Sequence, residues 1–239
     1  MPSTFMQRFS VFHGSPEGVL KAWHRPYAEL LAGNGPVLDV GCGLGYFADL
    51  LRDRGASCIG VDIDPAMVRA SEERGHVAHV GDHRSLRGLG TEFGGVHISH
   101  VVEHLWGEEV VELLEQSASI LREGGRIVIR TPNFENAEVR RRMFWSDYSH
   151  RRPYNVEVLI KLLTDLGFST EDAGAEPYGH NDLYVVAVKG ALPARRARVD
   201  YSRNPFPRVP IRERVRRRTL PWLKKMLRPI RDRLRNRHR

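Results

Sequence analysis

A glycine-rich turn behind a short apolar strand constrains this chain more than any other feature. The strand is predicted over Val37–Val40, glycines occupy every second position of Gly41–Gly45, and a helix is predicted over Tyr46–Arg54. Alternate glycines let the backbone approach a ligand closely, and N–H groups at the start of a helix are expected to face that ligand. The turn alone is weak evidence, because glycines also form ordinary tight turns.

A carboxylate farther along the chain makes the prediction more specific. A second strand is predicted over Ser57–Val61, and Asp62 follows it about 20 residues beyond the glycines. Nucleotide-binding βαβ units place the carboxylate that accepts ribose hydroxyls at this position. The turn and Asp62 together predict a site for a cofactor that carries a nucleoside.

Asp39 indicates which cofactor to expect. Dinucleotide sites have the pattern G-x-G-x-x-G, whereas this turn is G-x-G-x-G with Asp39 inside the preceding strand. A carboxylate beneath the turn repels a pyrophosphate but suits a ligand with ammonium and sulfonium charges. At this point the sequence resembles the class I S-adenosylmethionine (SAM) methyltransferases, whose first motif is similar to Val37–Gly45. A nicotinamide site or a degenerate site is the alternative.

The resemblance implies which positions contact SAM. Asp62 is expected at the ribose hydroxyls, Asp82 at the adenine amino group, and Asp39 either at the methionine moiety or as a support for the turn. The implied cofactor contacts are Asp39, Gly41, Cys42, Gly43, Gly45, Asp62, Ile63, Asp82, His83 and His100.

Strand and helix signals alternate along the rest of the chain. Further strands are predicted over Ala78–Val80, Gly94–Ser99, Arg126–Arg130 and Tyr184–Val188, and further helices over Val19–Ala32, Pro65–Arg74, Glu108–Leu121 and Asn155–Leu166. This alternation predicts an α/β fold with a doubly wound, mostly parallel sheet. The resemblance implies its Rossmann-like, seven-stranded form. The expected divisions are an N-terminal helical segment (1–36), a SAM-binding domain (37–190), a linker (191–210) and a basic tail (211–239).

Three polar side chains end the predicted fourth strand, at the sheet edge where open α/β folds bind ligands. They are His100, Glu103 and His104, and burying such groups is costly without partners. The resemblance places this segment beside the reactive methyl group. His104 is therefore a candidate general base, since an imidazole accepts protons near neutral pH. The alternative is that Glu103 and His104 bond to each other or to the backbone and only shape the pocket.

Aromatic and basic residues follow the fifth strand, where loops of such sheets cover the acceptor. Trp145, Tyr148 and Tyr154 are candidate walls for a sugar or another ring, and His150 and Arg151 are candidate contacts for an anion. A surface flap with its aromatic side chains tucked underneath is the alternative. The candidate catalytic residues are His104, Glu103 and His150.

Over residues 10–190 the chain resembles the methyltransferases associated with the assembly of bacterial polysaccharides and lipid-linked glycans. The segments that carry the resemblance are Phe12–Ser15, Val37–Gly45, Gly60–Asp62, His100–Leu105, Gly124–Gly125, Thr131–Asn133 and Asp147–Phe168. That branch often has Arg where this chain has His13, so an Arg contact to SAM is not carried over.

The Glu-His pair also resembles O-methyltransferases of the ubiquinone pathway and enzymes that methylate the 3′-terminal ribose of small RNAs. In those groups a Glu-x-x-Glu-His run holds a divalent metal, with a later His in the RNA enzymes, whereas this chain has His100 in place of the first Glu. A set made of His100, Glu103, His104 and His150 favours a softer metal than Mg²⁺, or none. No metal ligand is assigned, and a metal stays an alternative.

Charge is unevenly distributed along the chain. The net charge is +8, but 18 of the 37 Lys and Arg residues follow Gly190, against three of the 29 acidic residues. Apolar residues recur through this tail at Ile211, Val215, Leu220, Leu223, Leu227, Ile230 and Leu234. The pattern predicts a basic amphipathic helix, broken at Pro221 and Pro229, that suits an anionic membrane surface. A disordered tail and nucleic-acid binding are the alternatives.

Composition narrows the remaining possibilities. No run of about 18 or more apolar residues is present to span a membrane, and Met1–Ser10 lacks the apolar core of a signal peptide. Cys42 and Cys58 do not make a disulfide framework. The expected location is the cytoplasm, with peripheral binding at the inner face of the membrane as an option.

The sequence as a whole predicts a SAM-dependent O-methyltransferase. The predicted acceptor is a hydroxyl, or a phosphate, of a sugar in a membrane-linked glycan or a related metabolite. An RNA 2′-O-methyltransferase and a non-catalytic accessory protein that binds SAM or a membrane are the alternatives.

Overall fold

The computed structural model describes residues 17–177, 181–193 and 197–201. Its strands are β1 (Val37–Val40), β2 (Cys58–Asp62), β3 (Val77–Val80), β4 (Phe93–Ser99), β5 (Leu121–Pro132), β6 (Phe168–Ala175) and β7 (Asp182–Lys189). Its α-helices are α1 (Glu17–Leu31), α2 (Tyr46–Arg52), α3 (Pro65–Glu73), α4 (Gly107–Ile120) and α5 (Val156–Asp165). Short 3₁₀ or π-helical turns lie at Ala32–Asn34, Leu86–Leu89, Val102–His104, Val139–Met143 and Phe144–Ser146.

The strands form a seven-stranded sheet in the order β3-β2-β1-β4-β5-β7-β6. Strands β1 to β5 run parallel, and β7 runs antiparallel to both of its neighbours. The predicted doubly wound, mostly parallel, Rossmann-like sheet is therefore confirmed. The chain passes from β1 to β2 and β3 on one side and then crosses back to β4 on the other side of β1. In such sheets ligands bind at the carboxyl ends of the strands beside this switch point.

Each face of the sheet has its own apolar core. Leu113 of α4 belongs to one core, whereas Tyr27 of α1 and Phe47 of α2 belong to the other. Val199 is buried in that second core, and the hydroxyl of Tyr201 lies 2.8 Å from that of Tyr27. Helix α1, expected to belong to a separate N-terminal segment, thus packs on the sheet. Residues 197–201, expected to belong to a linker, pack on it as well.

The structure departs from the predicted elements in β5 and β6. No strand was predicted over Phe168–Ala175, which forms β6 at the sheet edge with a polar sequence that lacks apolar alternation. Strand β5 starts at Leu121, and the turn predicted at Gly124–Gly125 is a bulge inside it. The other elements lie within two residues of their predicted bounds.

No helix among the described residues is both long and apolar enough to cross a membrane. The predicted basic tail, residues 211–239, lies outside the described residues.

Candidate active site

The glycine turn joins β1 to α2 and is braced by the end of β2. Gly41, Gly43 and Gly45 have φ angles of 73°, 52° and 78°, a region that disfavours side chains. The N–H groups of Gly41 and Cys42 both donate to the Val61 carbonyl, at 2.8 and 3.1 Å, and that of Gly45 donates to Cys42 O at 3.0 Å. These three N–H groups are therefore used by the protein itself, and the prediction that N–H groups at the start of the helix face a ligand stays a prediction.

Asp62 holds the turn from below. Its Oδ2 accepts the N–H of Gly43 and its Oδ1 accepts the N–H of Asp64, both at 2.9 Å. Each carboxylate oxygen has a second lone pair, so Asp62 can accept ribose hydroxyls while it holds the turn. A Cβ on Gly43 would meet nothing within 4 Å, so space is open beside the turn. The side chain of Ile63 is 71% exposed and adds an apolar surface next to Asp62.

Asp39 pairs with a histidine rather than with the turn. It is buried, and its Oδ1 lies 2.7 Å from Nδ1 of His97, the residue opposite it on β4. Phe47 stacks on the His97 ring with 3.7 Å between centroids. Burial raises the pKa of Asp39 to about 8 and lowers the pKa of His97 to about 3. The pair is therefore uncharged at neutral pH, and a cationic ligand would favour the ionised carboxylate.

The other implied cofactor contacts differ in what they present. The thiol of Cys42 lies in the core, because a Cβ on Gly60 would lie 2.7 Å from its Sγ. Asp82 Oδ1 accepts the N–H two residues later at 2.9 Å and so starts a turn. The ring of His83 is buried beside α4, with Nε2 3.3 Å from Oε2 of Glu112. Cys42 can therefore offer a cofactor only its backbone.

The segment after β4 packs directly on the glycine turn. A Cβ on Gly41 would lie 2.5 Å from Cγ2 of Val101. His100 has a φ of 55°, the one positive value at a non-glycine residue in the described ranges. Its Nδ1 lies 3.0 Å from Oε1 of Glu103 and its Nε2 lies 3.6 Å from Oδ2 of Asp182. Asp182 and Glu103 raise the pKa of His100 above its usual value. His100 is thus a cation engaged by two carboxylates.

Glu103 is fully buried and fixed at both ends of its carboxylate. Oε1 contacts His100, and Oε2 accepts the hydroxyl of Thr131 at 2.9 Å. Burial opposes ionisation, but the contact with His100 lowers the pKa of Glu103 below its usual value. The backbone carbonyl of Glu103 also accepts the N–H of Arg151 at 2.8 Å, which ties the segment between β5 and α5 (residues 133–155, the flap) to this site.

The hydrogen bonds of two histidines define their tautomers. Nδ1 of His150 lies 2.7 Å from the Phe144 carbonyl, an acceptor only, so Nδ1 carries the proton. The hydroxyl of Ser149 donates to Asp147 Oδ1 at 2.5 Å, so it accepts from Nδ1 of His104 at 3.1 Å. Both rings therefore keep a lone pair on Nε2. Burial lowers the pKa of His150, which keeps its ring neutral at neutral pH.

The three residues predicted to be catalytic lie together. Glu103, His104 and His150 each offer one ligand atom, and these atoms lie within 4.8 Å of one another. An imidazole whose Nε2 carries a lone pair can accept a proton, and the nearby carboxylate can stabilise the imidazolium that results. The same donor set matches the ligands that zinc and other transition metals accept, and it matches Mg²⁺ poorly.

Sequence reasoning missed a buried charge network behind this cluster. Arg130 is 1% exposed, and its guanidinium donates to Glu176 at 2.5 and 3.1 Å and to Asp182 at 2.5 Å. The hydroxyl of Tyr27 also donates to Glu176, at 2.6 Å. Through Asp182 the network reaches His100. No local pattern could reveal it, because its members are far apart in the sequence.

A glycine turn and an acidic residue at the switch point of a Rossmann-like sheet define a protein that binds a nucleoside cofactor. The model of the methyltransferase domain family matches residues 16–173, more than half of the chain, and the chain belongs to this family.

Curated relatives carry the same description. A probable S-adenosylmethionine-dependent methyltransferase of Mycolicibacterium smegmatis is 34% identical over 139 residues, covering 57% of this chain and 52% of that protein. A Mycobacterium tuberculosis protein described in the same words is 32% identical over 138 residues, covering 55% and 48%. The chain thus spans about half the length of the curated relatives it matches.

Solved structures support the same assignment. A SAM-dependent methyltransferase from Archaeoglobus fulgidus has a TM-score of 0.69 and 26% identity, covering 78% of this chain and 100% of that one. Magnesium protoporphyrin IX methyltransferase from Synechocystis, with bound SAM, has a TM-score of 0.55 and 21% identity, covering 80% and 86%. The second likeness is one of fold alone. The prediction of SAM as the cofactor is confirmed by these matches.

Proposed function

We propose that this chain is a SAM-dependent O-methyltransferase whose acceptor is a hydroxyl of a sugar in a membrane-linked glycan or a related metabolite. The observation that carries the proposal is the cluster of Glu103, His104 and His150 beside the glycine turn. The glycan as acceptor is supported by the resemblance of residues 10–190 to that branch of methyltransferases.

The proposed reaction is a direct displacement. The acceptor oxygen attacks the methyl carbon of SAM in line with the sulfur, the carbon–sulfur bond breaks, and its electrons return to sulfur to give S-adenosylhomocysteine. Nε2 of His104 takes the hydroxyl proton, since its Nδ1 already donates to Ser149. The buried carboxylate of Glu103 stabilises the imidazolium that forms, and most of the rate comes from positioning the two reactants.

Transfer of labelled methyl from SAM into fractionated cell extract tests this function. Label is expected in the lipid-linked glycan fraction and is expected to be lost in Asp62→Ala and His104→Ala. His79→Ala is a matched control, because His79 is an exposed residue of β3, at the far edge of the sheet. Labelling of RNA, if a metal chelator prevents it, would instead support an RNA 2′-O-methyltransferase. SAM binding with no label in any fraction would contradict the enzymatic proposal.

The basic tail is proposed to bring the enzyme to its acceptor by binding anionic membranes. The 13 Lys and Arg residues and the recurring apolar positions of residues 211–239 support this. A chain that stops after Asn204 keeps Val199 and Tyr201 in their core and removes only residues that lie outside the described ranges. Flotation with anionic vesicles is expected for the intact chain and not for the shortened one. Equal flotation of both would contradict docking by the tail.

A further inference from the structure

A cavity is lined by residues of the segment after β5 and of the start of α5, together with Leu183 of β7. Its volume is about 390 Å³, within the range of small-molecule sites, and it is lined by Phe134, Glu135, Arg140, Arg152, Tyr154 and Leu183, among others. Phe134 packs against Phe144 with 5.3 Å between ring centroids, and Phe144 packs against His150 at 4.5 Å. The Tyr154 hydroxyl donates to the carbonyl of Leu105, the residue after His104, at 3.1 Å. The cavity is therefore connected to the catalytic cluster through Phe144 and Leu105, although none of the three cluster residues lines it.

Two arginines give the cavity a positive charge. Arg140 and Arg152 both line it, and among the described residues neither has a carboxylate within 4.0 Å. Arg142, on the same segment as Arg140, differs in this respect because it pairs with Glu138 at 3.5 Å. Glu135 is the acidic member of the lining, so two positive charges face one negative charge.

Both guanidinium groups retain donors for a ligand. Arg140 makes long contacts from Nη1 to the carbonyls of Phe134 and Glu135, at 3.4 and 3.5 Å. Arg152 lies over the ring of Tyr154, with 5.2 Å from its Cζ to the centroid. A guanidinium has five N–H donors in a planar fork that matches phosphate oxygens. The cavity thus offers aromatic side chains for a ring of the acceptor and two guanidinium groups for an anion.

We propose that this cavity binds a phosphate group of the acceptor and so places the neighbouring hydroxyl at the methyl of SAM. The inference rests on the proposed function and makes it more specific, because it selects phosphate-bearing acceptors over uncharged ones. Arg140 and Arg152, rather than the predicted Arg151, are the anion contacts. Arg151 pairs instead with Glu109 at 3.0 Å.

The test combines the identity of the product with arginine variants. Extract is methylated with labelled SAM by the full chain, and the product is resolved by anion exchange before and after enzymatic removal of phosphate. The expected product is an anion that loses its retention when phosphate is removed. Arg140→Gln and Arg152→Gln are each expected to raise the KM for this acceptor by about tenfold or more, with kcat nearly unchanged.

Arg142→Gln is the matched control, because it removes the same charge from the same exposed segment outside the cavity lining. An uncharged product, or an anionic one that keeps its retention after phosphate removal, would overturn the inference but leave methyl transfer intact. An equal rise in KM for Arg142→Gln would also overturn it, because the loss of one positive charge anywhere on this segment would then explain the effect. Absence of any labelled product, with SAM still bound, would overturn the proposed function and this inference with it.

Discussion

Replacing Ser149 with alanine tests whether the flap sets the tautomer of the proposed base. The hydroxyl of Ser149 donates to Asp147 and accepts from Nδ1 of His104 at 3.1 Å. Its removal leaves the Nδ1 proton without that acceptor, so the ring can turn or change tautomer. Such a hydrogen bond contributes about 0.5–1.5 kcal/mol, which corresponds to a fall in kcat of about 2- to 12-fold. Removing the base itself in His104→Ala should lower kcat by about 10²- to 10⁴-fold.

Single-turnover transfer of labelled methyl, with the unmethylated lipid-linked glycan fraction as acceptor, measures both effects. SAM affinity in Ser149→Ala is expected to match wild type in calorimetry, because Ser149 lies in the flap and not at the glycine turn. Ser146→Ala is the matched control, since that hydroxyl donates to the carbonyl of Met143 on the same flap. An unchanged kcat in Ser149→Ala would show that Ser149 does not set the tautomer.

Three further predictions concern the cofactor site. Asp62→Asn should weaken SAM binding in calorimetry by about tenfold or more. It removes the negative charge and replaces one of the two carboxylate oxygens that accept the N–H groups of Gly43 and Asp64. The pKa of Asp39 is about 8 in the folded protein and about 3.9 when unfolded, so the folded state holds the extra proton and stability falls as pH rises through this window. The free energy of unfolding measured in urea should therefore fall by about 1 kcal/mol per pH unit between about pH 6.5 and about pH 8, and Asp39→Asn should abolish this fall. Cys42 and Cys58 should resist iodoacetamide in the folded protein at about pH 8, as counted by mass spectrometry, because burial raises the pKa of both thiols.

Each of these predictions has a clear contrary outcome. Asp53→Asn changes an exposed carboxylate just after α2 and should leave SAM affinity intact, whereas unchanged affinity in Asp62→Asn would contradict the ribose contact. Unaltered pH dependence in Asp39→Asn would mean that Asp39 is ionised in the folded protein. Fast alkylation of either cysteine before denaturant is added would mean that its thiol is exposed.

The alternation of strands and helices and the residues of the candidate site could be predicted because their signals are local. Apolar runs, the glycines of Gly41–Gly45 and Asp62 each carry their meaning within a few residues. Strand β6 could not be predicted, because a strand at the sheet edge with one solvated face needs no continuous apolar run. The use of the N–H groups in the turn could not be predicted either, since the acceptor, the Val61 carbonyl, belongs to another strand.

The roles within the catalytic cluster depend on contacts between distant segments. The sequence singled out His104 and His150, but their tautomers follow from Ser149 and the Phe144 carbonyl, which no spacing rule indicates. The pairing of Asp39 with His97 requires the register of β1 against β4, which becomes known only when the two strands are aligned.

The buried network around Arg130 constrains how this family of sequences can change over time. Removing one partner of a buried ion pair typically costs about 3–5 kcal/mol, whereas replacing a whole set by apolar residues is often neutral. Arg130 is 46 residues from Glu176 and 52 from Asp182 in the sequence, yet each substitution alone would leave a buried charge without its partner. Across natural relatives these three positions are therefore expected to be retained together or lost together, with Tyr27 retained only where Glu176 is.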